Sequence, residues 1–271
     1  MPELPEVETT VRGLARFLDG ARLDRVVLNR PDMRFPFPQG LVQALTGARI
    51  VSLGRRAKYG LLHTDRDDTL IFHLGMSGRW RIDPDGADKH DHMVLHAAGH
   101  VFALNDPRRF GYVDMVRANA LQDWPAFAVM GPEPLDDALD AAHLKAALAG
   151  RKQAIKLMLL DQRVVAGLGN IYVCEALWRA RIHPRKAAGK VSRPALERLV
   201  PAIREVITEA IAAGGSTLRD YAQPDGELGY FSKQFDVYGR EDAPCHRADG
   251  GVIRRLAQGG RSTWYCPRCQ R

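Results

Sequence analysis

The chain has 271 residues, with 39 lysines and arginines against 32 aspartates and glutamates, giving a formal net charge of +7. That length suits two domains, or two with a small appendage, and the basic excess suits a polyanionic partner. No apolar run approaches the ~20 residues that span a bilayer, and the N-terminus lacks the charged-then-apolar order of a secretion signal. These features predict a cytoplasmic protein with no membrane partner.

The first residues are Met1-Pro2-Glu3-Leu4-Pro5-Glu6. Initiator methionine is commonly trimmed before a small second residue, which would leave Pro2 as the N-terminus with a free secondary amine. An α-amino group titrates near pH ~7.7–8.0, so much of it is uncharged and nucleophilic in the cell, whereas a lysine needs a strong downward shift to match it. Such an amine attacking a sugar aldehyde carbon gives an iminium, and Glu3 beside it is placed to move protons. The plain alternative is a helix start, with proline setting φ and glutamates at the positive end of the dipole.

Apolar spacing at Val7, Val11, Leu14 and Ala15 predicts a helix over Glu6–Phe17. Short β-rich runs follow at Arg25–Leu28, Arg49–Leu53, Leu61–Thr64, Thr69–Leu74, His92–His96 and Val101–Leu104, which predicts a β-sandwich or barrel-like layer. Residues 130–137 read as an interdomain hinge. Helical periodicity then covers 141–148, 152–161, 170–180 and 194–213, with Pro201 predicting a kink or a new helix start. The polar, Gly- and Pro-containing stretch 220–229 predicts a mobile loop. Of four cysteines, three crowd at the C-terminus, which suggests metal binding in a reducing compartment, and Cys174 reads as a small buried apolar residue.

Five signatures occur in order: the Pro2-Glu3-Leu4-Pro5-Glu6 start, His73-Leu-Gly-Met76-Ser-Gly with Lys89-His-Asp-His92, Asp106-Pro-Arg108-Arg109-Phe110-Gly111, Gly167-Leu-Gly-Asn170-Ile-Tyr172, and the terminal cysteine cluster. Together they resemble the bacterial formamidopyrimidine-DNA glycosylase family, collinearly from Pro2 to Arg271. Leu4 and the Asp-Pro-Arg-Arg-Phe-Gly run favour this branch over the endonuclease VIII branch, which prefers oxidised pyrimidines.

The resemblance implies Pro2, Glu3, Glu6 and Lys58 as catalytic residues. It implies Met76, Arg108 and Phe110 as the set that fills the gap left by an extruded base, with Arg109 supporting them. A thioether and an aromatic wedge can replace stacking, and guanidinium donors can read an orphaned cytosine. His92, Lys156, Asn170, Tyr238 and Arg261 are implied as further DNA-binding positions. For Asn170 the residues add a reason of their own, since a glycine-bounded turn before a helix presents backbone N–H groups to a phosphate. Ser216–Tyr238 matches the family's lesion-recognition loop.

The metal cluster departs from the family pattern of two Cys-x2-Cys knuckles. Cys266-Pro-Arg-Cys269 is intact, but the first knuckle reads Cys245-His246-Arg247-Ala248-Asp249, with no second cysteine. Zinc accepts cysteine, histidine or aspartate. Asp249 stands at the family position counted back from Cys266. His246 is chemically the better ligand but adjoins Cys245, and weak or absent zinc is the third alternative.

The expected fold is therefore an α+β multi-domain chain: an N-terminal catalytic β-sandwich flanked by helices (1–130), a helix-two-turns-helix DNA-binding domain (131–236) and a zinc-finger β-hairpin (237–271). The function implied is a bifunctional glycosylase and abasic-site lyase of base excision repair, excising oxidised purines through an N-terminal proline Schiff base and β,δ-elimination. One structural zinc and no catalytic metal are expected. The partner implied is damaged double-stranded DNA, bound by a monomer at the bacterial nucleoid. The alternatives are an oxidised-pyrimidine glycosylase and a non-catalytic DNA-damage-binding protein.

Overall fold

A computed structural model of the chain describes residues 2–216, 224 and 229–271. Two compact units emerge, one of residues 1–128 with 213–232, the other of 129–212 with 233–271.

The first unit opens with α1 (Leu4–Leu18), then β1 (Leu23–Leu28), the short α2 (Leu41–Leu45), β2 (Ile50–Arg56), β3 (Tyr59–Thr64), β4 (Asp68–His73), β5 (Arg79–Ile82), β6 (Asp91–Ala97), β7 (His100–Asn105) and β8 (Tyr112–Arg117). The strands form two four-stranded antiparallel sheets, in orders β1-β6-β7-β5 and β2-β3-β4-β8. Each sheet has an apolar inner face, and Leu62, Leu70 and Phe72 of one share a core with Trp80, Met93, Leu95 and Phe102 of the other. Val7, Val11, Leu14 and Leu18 fall at helical spacing on α1 and enter the same core. Each such side chain contributes about 1.5–3 kcal/mol by leaving water.

The second unit is helical. It contains α3 (Ala141–Leu148), α4 (Ile155–Leu159), α5 (Asn170–Arg179) and α6 (Arg193–Ala212), followed by the hairpin β9 (Arg254–Gln258) and β10 (Arg261–Tyr265). Asp140 starts α3 by accepting the His143 N–H at 2.6 Å. The hairpin belongs to the same compact unit as the helices, and the stretch 213–232 to the sandwich unit.

Several elements differ from the sequence expectation. Helix α6 runs unbroken through Pro201, with no new start there. Pro201 is exposed, while Leu196, Leu199, Val200, Ile203, Val206 and Ile207 stay buried along the opposite stripe, so packing holds the helix across the lost hydrogen bond. The helix expected over 152–161 shrinks to α4, five residues long. Strands β5 and β8 and helix α2 were not anticipated. Most of the loop expected over 220–229 lies outside the described residues. Among the described residues no helix is long and apolar enough to cross a membrane.

Candidate active site and nucleic-acid interface

Pro2 is buried, and Glu3 and Glu6 are only 2% and 1% exposed. Two carboxylates in so dry a setting require hydrogen-bond donors. Glu6 takes the Glu3 backbone N–H on Oε2 at 2.8 Å, part of a capping box that fixes the start of α1. Its Oε1 accepts the Ser216 N–H at 2.8 Å and the Ser216 hydroxyl at 2.9 Å. The N-terminal end of α1 is thereby tied to Ser216.

Lys58 sits at the tip of the β2–β3 hairpin, where Ala57 takes a left-handed φ of 52° and Lys58 is 9% exposed. Behind it Tyr59, His73, Tyr112, Trp124 and Phe127 form an aromatic cluster. The Tyr112 hydroxyl donates to that of Tyr59 at 3.0 Å. Burial, then the charges of Lys58 and Arg34, hold the His73 imidazole down at about 4, so it is neutral at physiological pH. Burial and the bond to Tyr59 push the Tyr112 phenol up.

Two loops carry the residues expected to replace an extruded base. Met76, in the turn after β4, is half-buried, and Phe110 is 46% exposed, so Phe110 does not belong to the core. Arg108 and Arg109 are exposed rather than buried as a pair; the Arg108 guanidinium lies 4.9 Å from the Phe110 ring centre. Arg109 adopts φ 54° and faces Asp32 at 3.7 Å. With Met33 and Arg34, these three residues line a cleft of about 440 Å³.

Asp106 organises both loops. Fully buried, it accepts the Ser77 hydroxyl at 2.6 Å and the Arg108 N–H at 3.3 Å on Oδ1, and the Gly111 N–H at 2.8 Å on Oδ2. Gly75, at φ 62°, lets the loops touch: a Cβ there would come within 2.3 Å of the Phe110–Gly111 backbone. His92 is 2% exposed and its Nε2 lies 2.8 Å from the Asp106 carbonyl oxygen, which places it as a brace for this loop.

In the second unit, Gln162 shapes the turn before α5, accepting the Gly167 N–H at 2.7 Å and donating to the Leu160 and Leu168 carbonyls. Asn170 then opens α5, donating to the Ser262 carbonyl at 2.9 Å and to the Tyr238 hydroxyl at 3.4 Å. Lys156 reaches the same point: fully buried, it donates to Thr263 Oγ1 at 2.6 Å and to the Ser262 carbonyl at 3.2 Å. Both residues fix β10 just behind the exposed Arg261, which follows the tight Gly259-Gly260 turn. Glu175, also fully buried, accepts the backbone N–H groups of Asp236, Val237 and Tyr238, and burial pushes its carboxyl up against their pull.

Cys245, Asp249, Cys266 and Cys269 bring one donor atom each to within 4.8 Å of the others. The Cys245 and Cys269 sulfurs are 4.0 Å apart, against the ~3.8 Å of a tetrahedral zinc–thiolate site with Zn–S near ~2.3 Å. Burial and the neighbouring thiols of Cys266 and Cys245 push the Cys269 thiol up to about 12, a crowding that a divalent cation relieves. The donor set fits one structural zinc ion. His246 stands outside the cluster, its Nδ1 3.0 Å from Asp236. Cys174 lies under the finger in an apolar layer with Trp178, Val237 and Ile253.

Sequence reasoning assigned no role to Asp106, Ser77, Ser216, Glu175 or Trp178. Asp106 was readable in part, since an aspartate before proline and two arginines is a loop-forming acid. The other four act through contacts distant in sequence, which no local pattern discloses.

Three family models match the chain: the formamidopyrimidine-DNA glycosylase N-terminal domain over residues 1–113, its H2TH domain over 130–222, and the zinc finger found in that family and in isoleucyl-tRNA synthetase over 250–271. Formamidopyrimidine-DNA glycosylase of Erythrobacter litoralis is 75% identical over 271 residues, and that of Novosphingobium aromaticivorans 66% identical over 272, each covering all of both chains. Among solved structures, the MutM (Fpg) protein of Thermus thermophilus superposes with a TM-score of 0.90 at 40% identity, over 99% of this chain and 98% of its own. Lactococcus lactis Fpg in complex with abasic-site DNA gives 0.92 at 34% identity over the whole of both chains. With all three segments matched and a relative three-quarters identical from end to end, the chain belongs to the formamidopyrimidine-DNA glycosylase family.

Proposed function

We infer that this chain is a DNA glycosylase and abasic-site lyase of base excision repair, removing 8-oxoguanine and formamidopyrimidines from duplex DNA. The observation that carries the reading is the buried acidic N-terminus, where Glu6 holds the Glu3 backbone in place beside Pro2. The capping box and the bonds to Ser216 account for the place of Glu6, while the Glu3 carboxyl, beside Pro2, is placed to move protons at an amine freed by loss of Met1.

After removal of Met1, the Pro2 amine attacks the sugar C1′. The C1′–base bond breaks with its electron pair leaving on the base, which takes up a proton. Glu3 protonates the ring oxygen as the sugar opens, giving an iminium between Pro2 and C1′. The iminium acidifies the C2′ proton, and its loss expels the 3′ phosphate; a second elimination expels the 5′ phosphate. Lys58 supplies positive charge near the lesion. Base extrusion costs a few kcal/mol, offset in part by Met76, Arg108 and Phe110 occupying the gap. Arg109 supports that loop.

The N–H groups at the start of α5 and the Arg261 guanidinium are assigned to phosphates. His92 and Lys156, both buried, are assigned to bracing the surfaces that meet DNA, and Tyr238 to the same surface as Asn170. Zinc holds the finger and has no assigned step. The chain acts as a monomer on chromosomal DNA.

Borohydride trapping on an 8-oxoguanine duplex tests this. A covalent adduct is expected with protein lacking Met1 and none with protein that retains it. Equal strand cutting by both forms without an adduct would sink the mechanism. Faster excision of oxidised pyrimidines would reassign the substrate class.

A further inference from the structure

Glu175 is a fully buried carboxyl group to which the reaction gives no step. It stands in the middle of α5, where an apolar residue would pack without the cost of desolvating a charge. Its two oxygens take three consecutive backbone N–H groups: Oε1 those of Val237 at 3.0 Å and Tyr238 at 2.8 Å, Oε2 that of Asp236 at 2.9 Å. An amide could not match this, since its NH2 would confront one of the donors. Further along the helix, Arg179 is fixed by Glu209 at 2.6 Å and faces the Asp236 carboxylate at 3.8 Å. The Val237 side chain enters the apolar layer with Cys174 and Trp178. Helix α5 thus holds 236–238 through polar and apolar contacts alike.

What this grip places is the Tyr238 hydroxyl. The Tyr238 backbone is fixed at Glu175, while its hydroxyl accepts from Asn170 Nδ2 at 3.4 Å. Glu175 and Asn170 are five residues apart on one helix, about 7.5 Å along its axis at ~1.5 Å per residue. The Tyr238 side chain therefore lies along α5 and points to its N-terminus. Its ring is held from the sides by Trp264 on β10, with 4.3 Å between ring centres, and by Phe235 at 5.5 Å. The hydroxyl ends beside a helix N-terminus, whose dipole favours an anion, and Asn170 there also fixes the Ser262 carbonyl next to Arg261.

We propose that Glu175 is a positioning residue for the DNA contact: by fixing the 236–238 backbone it sets the Tyr238 hydroxyl beside the N-terminus of α5, where both meet one phosphodiester group. The inference rests on the reading of Asn170 and Tyr238 as the phosphate-facing pair of this helix. Two acceptor oxygens are needed to hold three donors, and the side-chain length sets how far Tyr238 reaches. Glu175→Asp keeps the oxygens but draws them back by one methylene, which breaks the register with Asn170.

A double-mutant cycle on the full-length chain tests this, with affinity for a duplex carrying an abasic-site analogue as the readout. Tyr238→Phe removes the hydroxyl and should weaken binding roughly ten-fold, the worth of one hydrogen bond to a charged phosphate. Glu175→Gln should weaken it by a similar factor. The double variant should bind no more weakly than the weaker single one, because both changes remove the same contact. Glu175→Asp should show the same coupling, and it replaces Glu175→Gln in the cycle if the amide variant does not fold. A residue that merely supports the fold gives a different result, since its loss of affinity multiplies with that of Tyr238→Phe. Multiplied losses, or full affinity in the Glu175 variants, would overturn the positioning role. Wild-type affinity in Tyr238→Phe would instead overturn the phosphate reading of Tyr238 itself.

Discussion

Glu6 and Ser216 stand 210 residues apart, yet one carboxylate oxygen of Glu6 receives both the N–H and the hydroxyl of Ser216, at 2.8 and 2.9 Å. The other oxygen receives the Glu3 N–H at 2.8 Å, so a single side chain sets the positions of the Glu3 backbone and of Ser216. Glu6→Ala leaves three buried donors without this acceptor, at about 1–3 kcal/mol each. The expected result is a stability loss of about 3 kcal/mol or more in urea unfolding. Ser216→Ala removes the hydroxyl alone and should cost about 1 kcal/mol. Single-turnover excision should fall further than affinity for an abasic-site duplex in both variants. Equal loss of affinity and rate would reduce Glu6 to a structural role.

Asp106 gives a second expectation. Its two oxygens hold Ser77, Arg108 and Gly111, so the Met76 turn and the Arg108–Phe110 loop are ordered by one buried group. A bidentate arginine contact to a base is worth about 1–3 kcal/mol of discrimination. Arg108→Ala should flatten the preference for cytosine opposite the lesion by about that much. Asp106→Asn should do the same with Arg108 still present, because an amide must offer N–H groups to a site made of donors. Affinities for an abasic-site analogue opposite each of the four bases measure both effects.

These relationships mark the limit of what the chain discloses by itself. Six strands of the sandwich were legible because β-branched and apolar residues alternate between turn formers. Strand β5 was not, since Arg79 and Arg81 mask the inward Trp80 and Ile82 in only four residues. Strand β8 follows the Arg-Arg-Phe-Gly loop with no intervening turn signal and exists through its pairing with β4. The site divides in the same way. Pro2, Glu3, Phe110 and the cysteines could be named from local motifs. That Lys156 and His92 are buried, or that Asp249 rather than His246 faces the sulfurs, depends on contacts between segments far apart in the chain.

The His73 imidazole carries a pH signature. Burial and the nearby charges of Lys58 and Arg34 hold its folded value at about 4, below the 6.5 of an ordinary imidazole. Between those values the unfolded chain binds more protons than the folded one, so stability rises with pH across this window. The contribution is fully present above pH ~6.5 and is lost as pH falls towards ~4, and amounts at most to something on the order of 3 kcal/mol. His73→Gln, which cannot titrate there, should flatten the slope of urea stability between pH 6.5 and 4. An unchanged slope would mean that other groups set the acid limit.

Lys156 and Arg261 separate two ways a cation can serve DNA binding. Arg261 is exposed at the start of β10, while Lys156 is fully buried and bonded to Thr263 and Ser262. A side chain that neutralises one phosphate contributes about 0.9 to the slope of log affinity against log salt. Arg261→Ala should therefore reduce that slope by about one. Lys156→Met removes a charge already bonded to the hairpin, so affinity should fall through misplacement of Arg261 with the slope nearly unchanged. Thr263→Val, which breaks the 2.6 Å bond from Lys156 and the 3.3 Å bond to Gln258 but leaves Lys156 bonded to the Ser262 carbonyl, should reproduce a milder form of the Lys156 defect. A slope change in Lys156→Met equal to that of Arg261→Ala would show that Lys156 leaves its buried bonds to meet a phosphate when DNA is bound.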